Sequence, residues 1–270
     1  MKLIVVLESK AYIYDLARLS ILSTIETVAN LKGLCAFSPN QENCHLALPA
    51  SVTSGAVLVY NAKDPQALCQ IQAHKSPLAT MAFSADGTFL ATASEQGTVI
   101  RVHTIPQASK VFTFRRGTYP ATIYSLSFGP QSQYPPLLAA TSSSGTVHVF
   151  MLAPTTRQND KKIPGIIAAV IPELVTDMVE SEHHFITIHD GFIPGTRSIC
   201  AVAKSTNGSG ETSSSASRLD RPRIFVVTTS GYYNQYSLLV GPGRKGTFTL
   251  ERECTLLTSA SDQILARFVE

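Results

Sequence analysis

The stretch Phe83-Ser-Ala-Asp-Gly-Thr-Phe-Leu-Ala-Thr-Ala-Ser94, followed by Gly97-Thr-Val-Ile-Arg-Val102, decides the fold. A short apolar run ends at Phe83, a turn follows, and a second apolar run begins at Phe89. Gly97 then opens a third run in which apolar and polar residues alternate. Short apolar or alternating runs bounded by turn residues are typical of β-strands. The stretch therefore predicts three short strands joined by tight turns.

The same pattern recurs along the chain. Phe37, Phe83 and Phe128 each end a short apolar strand, and they are 46 and 45 residues apart. After each come a turn, an apolar run and a glycine-led alternating strand, and in two units a fourth strand follows. Four strands in roughly 40 to 45 residues are typical of a propeller blade of the WD-repeat type. The chain has no tryptophan, so the residue that usually marks such repeats is absent.

We therefore predict an all-β, WD-repeat-like β-propeller of about four to five blades, as a single domain over residues 1–270. The first 27 residues read as three strands of a blade without its first strand, which leaves a sheet edge to be explained, although a closed ring of this size is possible. The predicted units are a partial blade at 1–27, blades at 28–72, 73–117 and 118–190, and a last blade at 191–270. Residues 204–222 are rich in Ser, Gly and Thr and predict a flexible loop within the last blade.

A second insertion, residues 151–182, is unusual for a loop between strands. Loops are normally polar, but here the basic pair Lys161-Lys162 precedes a compact apolar segment. Apolar residues beside lysines are typical of a segment that enters the headgroup region of an anionic membrane. The alternative, a loop or short helix folded against the side of the propeller, remains open on composition alone. The candidate membrane-inserting residues are Ile163, Ile166, Ile167, Val170, Ile171 and Leu174.

Composition and motifs argue against several other classes of protein. The net charge of +3 is too small to indicate nucleic acid as a partner. The five cysteines include no Cys-x-x-Cys pair and predict reduced thiols rather than a disulfide framework or a zinc site. No catalytic motif or paired-carboxylate arrangement occurs, so we expect neither an enzyme nor a cofactor or metal site. The short apolar N-terminus suits neither a signal peptide nor a membrane span, and we expect a cytosolic protein with peripheral membrane contact at most.

The strongest candidate site is Phe114-Arg-Arg-Gly117, at the end of a predicted strand. Successive side chains of a strand point to opposite faces, so Arg115 and Arg116 are expected to reach two different clefts. The guanidinium group is a planar, charged fork that matches phosphate oxygens. The sequence therefore predicts two phosphate sites that flank one strand. The alternative is that the arginines are solvated, bridge to carboxylates or grip an acidic peptide.

Several elements together resemble the PROPPIN family of phosphoinositide-binding autophagy propellers, which includes the WIPI proteins, and the resemblance is closest to plant members. It covers nearly the whole chain and implies a seven-bladed fold. In the register of that fold this chain begins within the third blade, so the resemblance implies an incomplete ring. The elements that carry it are Ile25-Glu-Thr27, Lys32-Gly-Leu-Cys-Ala36, Ala73-His74 with Pro77, Leu90-Ala-Thr-Ala-Ser94, Gly97-Thr-Val-Ile-Arg-Val102, Phe114-Arg-Arg-Gly117 and Thr146-Val-His-Val-Phe150.

The resemblance implies a set of ligands for each cleft. The first cleft would use Arg115 with Ser94, Thr98, Arg101 and His74. The second would use Arg116 with Ser142, Ser143, Thr146, His148, Thr187 and His189. The family usually has arginine where this chain has His189, so we expect the second cleft to be weaker at neutral pH and pH-sensitive, since histidine titrates near 6.5. Structural alternatives remain open: Ser94 and Thr98 could satisfy turn backbone, and His74 and His148 could be buried in core networks.

The resemblance also implies a function. A PROPPIN binds phosphatidylinositol 3-phosphate and phosphatidylinositol 3,5-bisphosphate and recruits other autophagy proteins during autophagosome formation. It implies peripheral localisation on the phagophore assembly site and on endosomal and vacuolar membranes. The insertion at 151–182 falls where the family carries its membrane-inserting loop, so the resemblance favours the membrane interpretation of this segment. The alternative function is a WD-repeat scaffold that binds proteins without lipid.

Overall fold

The computed structural model describes residues 2–130, 136–152, 184–188, 193–204, 221–240 and 246–257. These residues form nineteen strands and no helix. The strands, in chain order, are β1 Lys2–Val6, β2 Lys10–Asp15, β3 Ser20–Glu26, β4 Ala36–Phe37, β5 His45–Pro49, β6 Gly55–Asn61, β7 Gln66–His74, β8 Leu78–Phe83, β9 Phe89–Ser94, β10 Val99–Thr104, β11 Lys110–Arg115, β12 Ile123–Phe128, β13 Leu137–Ser142, β14 Thr146–Met151, β15 His184–Ile188, β16 Ser198–Ala203, β17 Arg223–Thr228, β18 Tyr232–Val240 and β19 Gly246–Thr255.

The strands form five antiparallel sheets in which each strand pairs with its neighbours in sequence. Sheet 1 has the three strands β1–β3, and the other four sheets have four strands each: sheet 2 is β4–β7, sheet 3 is β8–β11, sheet 4 is β12–β15 and sheet 5 is β16–β19. The first strands of sheets 3, 4 and 5 pack against one another. This arrangement is a β-propeller whose ring is open, so the prediction of an all-β propeller with an incomplete ring is confirmed.

The interface between sheets 3 and 4 is apolar and aromatic. Phe114 of β11 and Phe150 of β14 are fully buried, and their rings stack with centroids 4.8 Å apart. Around them, small residues of β9 and β13 fill the gap between the sheets. Replacing a buried phenylalanine with alanine typically destabilises a protein by about 3 to 5 kcal/mol. The stack therefore fixes the strand that carries Arg115 relative to the strand that carries Thr146 and His148.

Sheets 4 and 5 are joined by hydrogen bonds as well as by apolar packing. On β12, Ser125 Oγ accepts from the backbone N–H of Cys200 at 3.3 Å, and Ser127 Oγ accepts from that of Val202 at 3.2 Å. Thr141 Oγ1 donates to the carbonyl of Ser198 at 2.8 Å. Hydroxyl groups at alternate positions of one strand thus satisfy backbone groups of the next sheet, where an unpaired polar group would be destabilising.

His103 makes the stability of sheet 3 dependent on pH. Its side chain is 3% exposed, and burial lowers its pKa to about 4, with the charges of Arg101 and Lys110 adding to the effect. The ordinary pKa is about 6.5, so between pH 6.5 and 4 the unfolded chain binds a proton that the folded chain does not. Stability from this group is therefore complete above pH 6.5 and is lost as the pH falls towards 4.

We expect His103→Gln to lessen the loss of stability on acidification. Between about pH 7.5 and about pH 4.5, the free energy of unfolding should fall by about 2 to 3 kcal/mol less in the variant than in the parent chain. Urea denaturation at the two pH values measures this difference. An equal loss of unfolding free energy in both proteins would contradict the conclusion that His103 makes stability depend on pH.

The described residues contain no helix that is long and apolar enough to span a membrane.

Candidate phosphate-binding clefts

The end of β11 places Arg115 on the face of sheet 3 that looks towards sheet 2. In register, Thr113 lies opposite Arg101, and Arg115 lies opposite Val99. Because residues two apart share a face of a strand, Thr113 and Arg115 point to the same side as Arg101. Phe114, between them, points the other way into the core shared with sheet 4. Arg115 is exposed, and within the described part of the chain no hydrogen bond or ion pair holds its guanidinium group.

Arg101 and His74 form a network that joins sheets 2 and 3. Arg101 Nη1 donates to the carbonyl of Ala73 at 2.6 Å and lies 3.4 Å from His74 Nδ1. Because arginine can only donate, Nδ1 of His74 accepts, and its proton is on Nε2. Nε2 lies 3.0 Å from Thr92 Oγ1, to which it can donate. His74 is buried, and these contacts belong to the structural network that the sequence left open as an alternative.

The other groups predicted for the first cleft lie nearby on the same sheet. Ser94 is buried at the end of β9, two residues from Thr92 and therefore on the same face. Thr98 is partly buried, and its carbonyl accepts from the backbone N–H of Arg116 at 2.9 Å. Thr113 Oγ1 is buried and has no hydrogen-bond partner among the described residues. A buried hydroxyl without a partner is destabilising unless a ligand satisfies it.

Arg116 has surroundings quite unlike those of Arg115. It lies just beyond β11, and its Nε donates to the carbonyl of Gly97 at 2.9 Å. Its Nη2 donates to the carbonyl of Tyr119. Burial lowers the pKa of Arg116, but an arginine remains charged in proteins. Arg116 therefore fastens the residues that follow it to the β9–β10 turn, and neither arginine pairs with a carboxylate in the described ranges.

The residues predicted for the second cleft form a continuous hydroxyl network on sheet 4. Its distances are 2.7 Å from Ser142 Oγ to Ser144 Oγ, 2.8 Å from Ser144 Oγ to Thr146 Oγ1, 2.8 Å from Thr146 Oγ1 to His148 Nε2, and 3.4 Å from His148 Nδ1 to Thr187 Oγ1. Register explains this proximity, because Ser142 pairs with Thr146 and His148 pairs with Thr187 across the ladder. Hydroxyl groups can turn their protons towards an anion, so the network can donate to phosphate.

The structure does not join Arg116 to this network by a hydrogen bond in the described residues, because its guanidinium bonds to Gly97 and Tyr119. Ser143 also has a different partner, since its Oγ accepts from the backbone N–H of Thr122 at 3.0 Å. His189 and the six residues of the predicted membrane-inserting segment lie outside the described residues. The phosphate roles of all these side chains stay predictions.

Sequence reasoning missed three residues of these clefts. Ser144 completes the hydroxyl network, and Thr92 holds His74. Thr113 lies opposite Arg101 and two residues before Arg115. The alternation of side chains along β11 would have indicated Thr113, because it lies two residues before Arg115 and so shares its face. Finding Thr92 required the packing of two sheets, which no local pattern encodes.

Comparison with known proteins identifies this architecture. The family model described as PROPPIN matches residues 1–257. The chain belongs to the PROPPIN family. The predicted membership is therefore confirmed, together with its implied propeller fold.

Two curated PROPPIN relatives cover almost the whole chain. Autophagy-related protein 18b of Arabidopsis thaliana is 46% identical over 257 residues, which are 95% of this chain and 70% of that protein. WD repeat domain phosphoinositide-interacting protein 2 of Gallus gallus is 38% identical over 269 residues, covering 95% of this chain and 56% of that protein. The chain therefore spans between about half and three quarters of the length of these two PROPPIN relatives.

A solved PROPPIN-like structure supports the fold independently. Kluyveromyces lactis Hsv2 superposes with a TM-score of 0.68 at 17% sequence identity, covering 95% of this chain and 71% of that chain. At this identity the likeness concerns the fold alone. The five sheets therefore correspond to part of that longer chain.

Proposed function

We propose that this chain is a non-enzymatic module that binds phosphatidylinositol 3-phosphate and phosphatidylinositol 3,5-bisphosphate on membranes. The observation that carries the proposal is Arg115: an exposed guanidinium without a carboxylate partner in the described residues, on the same sheet face as Arg101. Here the charge is left available to an external anion.

The chemistry of the first cleft fits a phosphate monoester. Arg115 is exposed and supplies a charged fork for two phosphate oxygens. Arg101 adds a second guanidinium on the same face, held in place by the carbonyl of Ala73. Two positive charges on one face favour a dianionic ligand over a neutral one.

The second cleft would bind phosphate more weakly. It offers hydroxyl donors and His148, while Arg116, its predicted cation, is bound to two backbone carbonyls. Two weak sites on one rigid body still increase membrane residence, because binding at one raises the effective concentration at the other. The segment 163–175 would add apolar contact with the bilayer.

The family supports a role in autophagy, since the PROPPIN relatives include autophagy-related protein 18b. We infer that the chain acts as a recruitment adaptor in autophagosome formation. In that role it would be held peripherally at the phagophore assembly site and at endosomal and vacuolar membranes. The rest of its surface would bind other autophagy proteins.

Vesicle flotation tests the proposal. We expect the chain to float with phosphatidylcholine vesicles that contain phosphatidylinositol 3-phosphate or phosphatidylinositol 3,5-bisphosphate. It should stay in the dense fraction with phosphatidylcholine alone or with added phosphatidylinositol. Deleting residues 163–175 should reduce flotation. A lipid-independent scaffold would show no lipid-dependent flotation and no response to this deletion, and that result would overturn the proposal.

A further inference from the structure

Tyr119 is a large side chain left in solvent beside the two arginines. It is 83% exposed and lies three residues beyond Arg116. A single exposed apolar side chain is ordinary. What sets Tyr119 apart is the way its backbone is held and the charges beside it.

Two hydrogen bonds and a proline fix the segment that carries this ring. The carbonyl of Tyr119 accepts from the guanidinium of Arg116. Pro120 restricts the backbone of the residue before it to an extended conformation. The backbone N–H of Ala121 donates to the carbonyl of Gln96 at 3.1 Å. The segment is therefore attached to the β9–β10 turn on both sides of the tyrosine.

The β9–β10 turn is shaped to receive this segment. A Cβ atom built on Gly97 would lie 1.7 Å from the carbonyl oxygen of Ala121, so only glycine allows the two to pack this closely. The structure thus provides a rigid base for residues 117–121 and still leaves the ring of Tyr119 in water. A fixed backbone with an exposed ring lowers the entropy that would be lost when the ring binds something outside the chain.

We propose that Tyr119 is a membrane-interface residue: its ring enters the headgroup region of an anionic bilayer while Arg115 binds a lipid phosphate. This inference rests on the proposed function and deepens it. Tyrosine has an apolar ring and a polar hydroxyl, and such side chains are enriched at membrane–water interfaces. The charges of Arg115 and Arg116 favour a negatively charged surface next to the ring. Arg116 is then a positioning residue, since it acts by holding the carbonyl of Tyr119.

The absence of tryptophan from the chain permits a direct test. The variant Tyr119→Trp carries a single tryptophan at the proposed contact. Its matched control, Leu19→Trp, replaces a residue that is 80% exposed in the β2–β3 turn. That turn belongs to sheet 1, whose core residues pack with sheet 2, so sheet 2 separates it from sheet 3 and Arg115.

With vesicles that contain phosphatidylinositol 3-phosphate, we expect the fluorescence of Trp at position 119 to shift to the blue and to be quenched by brominated lipid. The control variant should bind the same vesicles with unchanged emission. If the Tyr119→Trp protein floats with the vesicles while its emission stays unchanged, the proposed function survives and the interface role is refuted. If the parent chain does not float at all, both proposals fail together.

A second comparison separates ring insertion from headgroup binding. Tyr119→Ser should weaken binding to these vesicles by about tenfold, whereas Tyr119→Phe should weaken it only slightly. Binding of the soluble headgroup, inositol 1,3-bisphosphate, should be the same in all three proteins, as measured by calorimetric titration. Equal loss of headgroup and vesicle binding in Tyr119→Ser would overturn the proposal, because it would place Tyr119 within the phosphate cleft.

Discussion

Replacing Arg115 with threonine is expected to weaken binding to vesicles containing phosphatidylinositol 3-phosphate by about 10- to 100-fold without lowering the melting temperature. A charge-assisted hydrogen bond contributes about 1.5 to 3 kcal/mol, which corresponds to such a factor. The fold should be unaffected because the side chain is exposed and bonds to no other described residue. Vesicle sedimentation at several lipid concentrations, together with a thermal melt, measures both quantities.

Two further variants make this test specific. Arg18→Thr removes the same charge from an exposed position in the β2–β3 turn, so it should leave the vesicle affinity unchanged. Arg116→Thr should differ from Arg115→Thr by reducing stability, by about 1 to 2 kcal/mol, because it removes two donors to backbone carbonyls. If Arg115→Thr and Arg18→Thr bind equally well, Arg115 is not a phosphate ligand.

Replacing Gly97 with alanine is expected to destabilise the chain by roughly 2 to 5 kcal/mol. Gly97 has a φ of +58°, and its added Cβ would meet the carbonyl oxygen of Ala121 at 1.7 Å. Left-handed backbone strain accounts for about 1 to 3 kcal/mol, and the steric overlap adds a similar amount. The variant should also displace the segment 117–121, so vesicle binding should fall with stability.

Gly33 offers a matched control for the backbone part of this effect. Its φ is +60°, but a Cβ built there meets nothing within 4 Å. Gly33→Ala should therefore show the strain alone, and the difference between the two variants in urea denaturation reports the overlap with Ala121. Equal losses of stability in the two variants would contradict the close packing of the turn against this segment.

Much of the fold was predictable because each repeat is encoded locally. Phe83 to Val102 contains its own turn residues and its own alternation, so its strands follow from short-range physics. The aromatic contact between sheets 3 and 4 was not predictable in the same way. Phe114 and Phe150 are 36 residues apart and meet only when two sheets stack.

In the candidate site, too, features that are local in sequence were predictable, and contacts made by tertiary packing were not. Arg115 and Arg116 were found as a pair because they are adjacent and follow a strand. Their different partners could not be predicted, because the carbonyls of Gly97 and Tyr119 come within reach of Arg116 only when the turn folds. Similarly, His74 is placed by β7 of sheet 2 while its partner Thr92 belongs to sheet 3. The residue types indicate which side chains are candidates for the two clefts. Tertiary packing decides which atoms each of these side chains contacts.

The hydrogen bond from Arg101 to the carbonyl of Ala73 has a thermodynamic consequence for the first cleft. A phosphate that draws this guanidinium towards itself must compete with a bond that ties two blades together, so occupancy and blade separation are linked equilibria. A change of solvent or sequence that weakens the contact between sheets 2 and 3 would release Arg101 from the carbonyl of Ala73. Phosphate would then bind more tightly, while the two sheets would be held together less strongly. If the first cleft binds phosphate through Arg101 as proposed, its affinity would therefore depend on how tightly sheets 2 and 3 are joined.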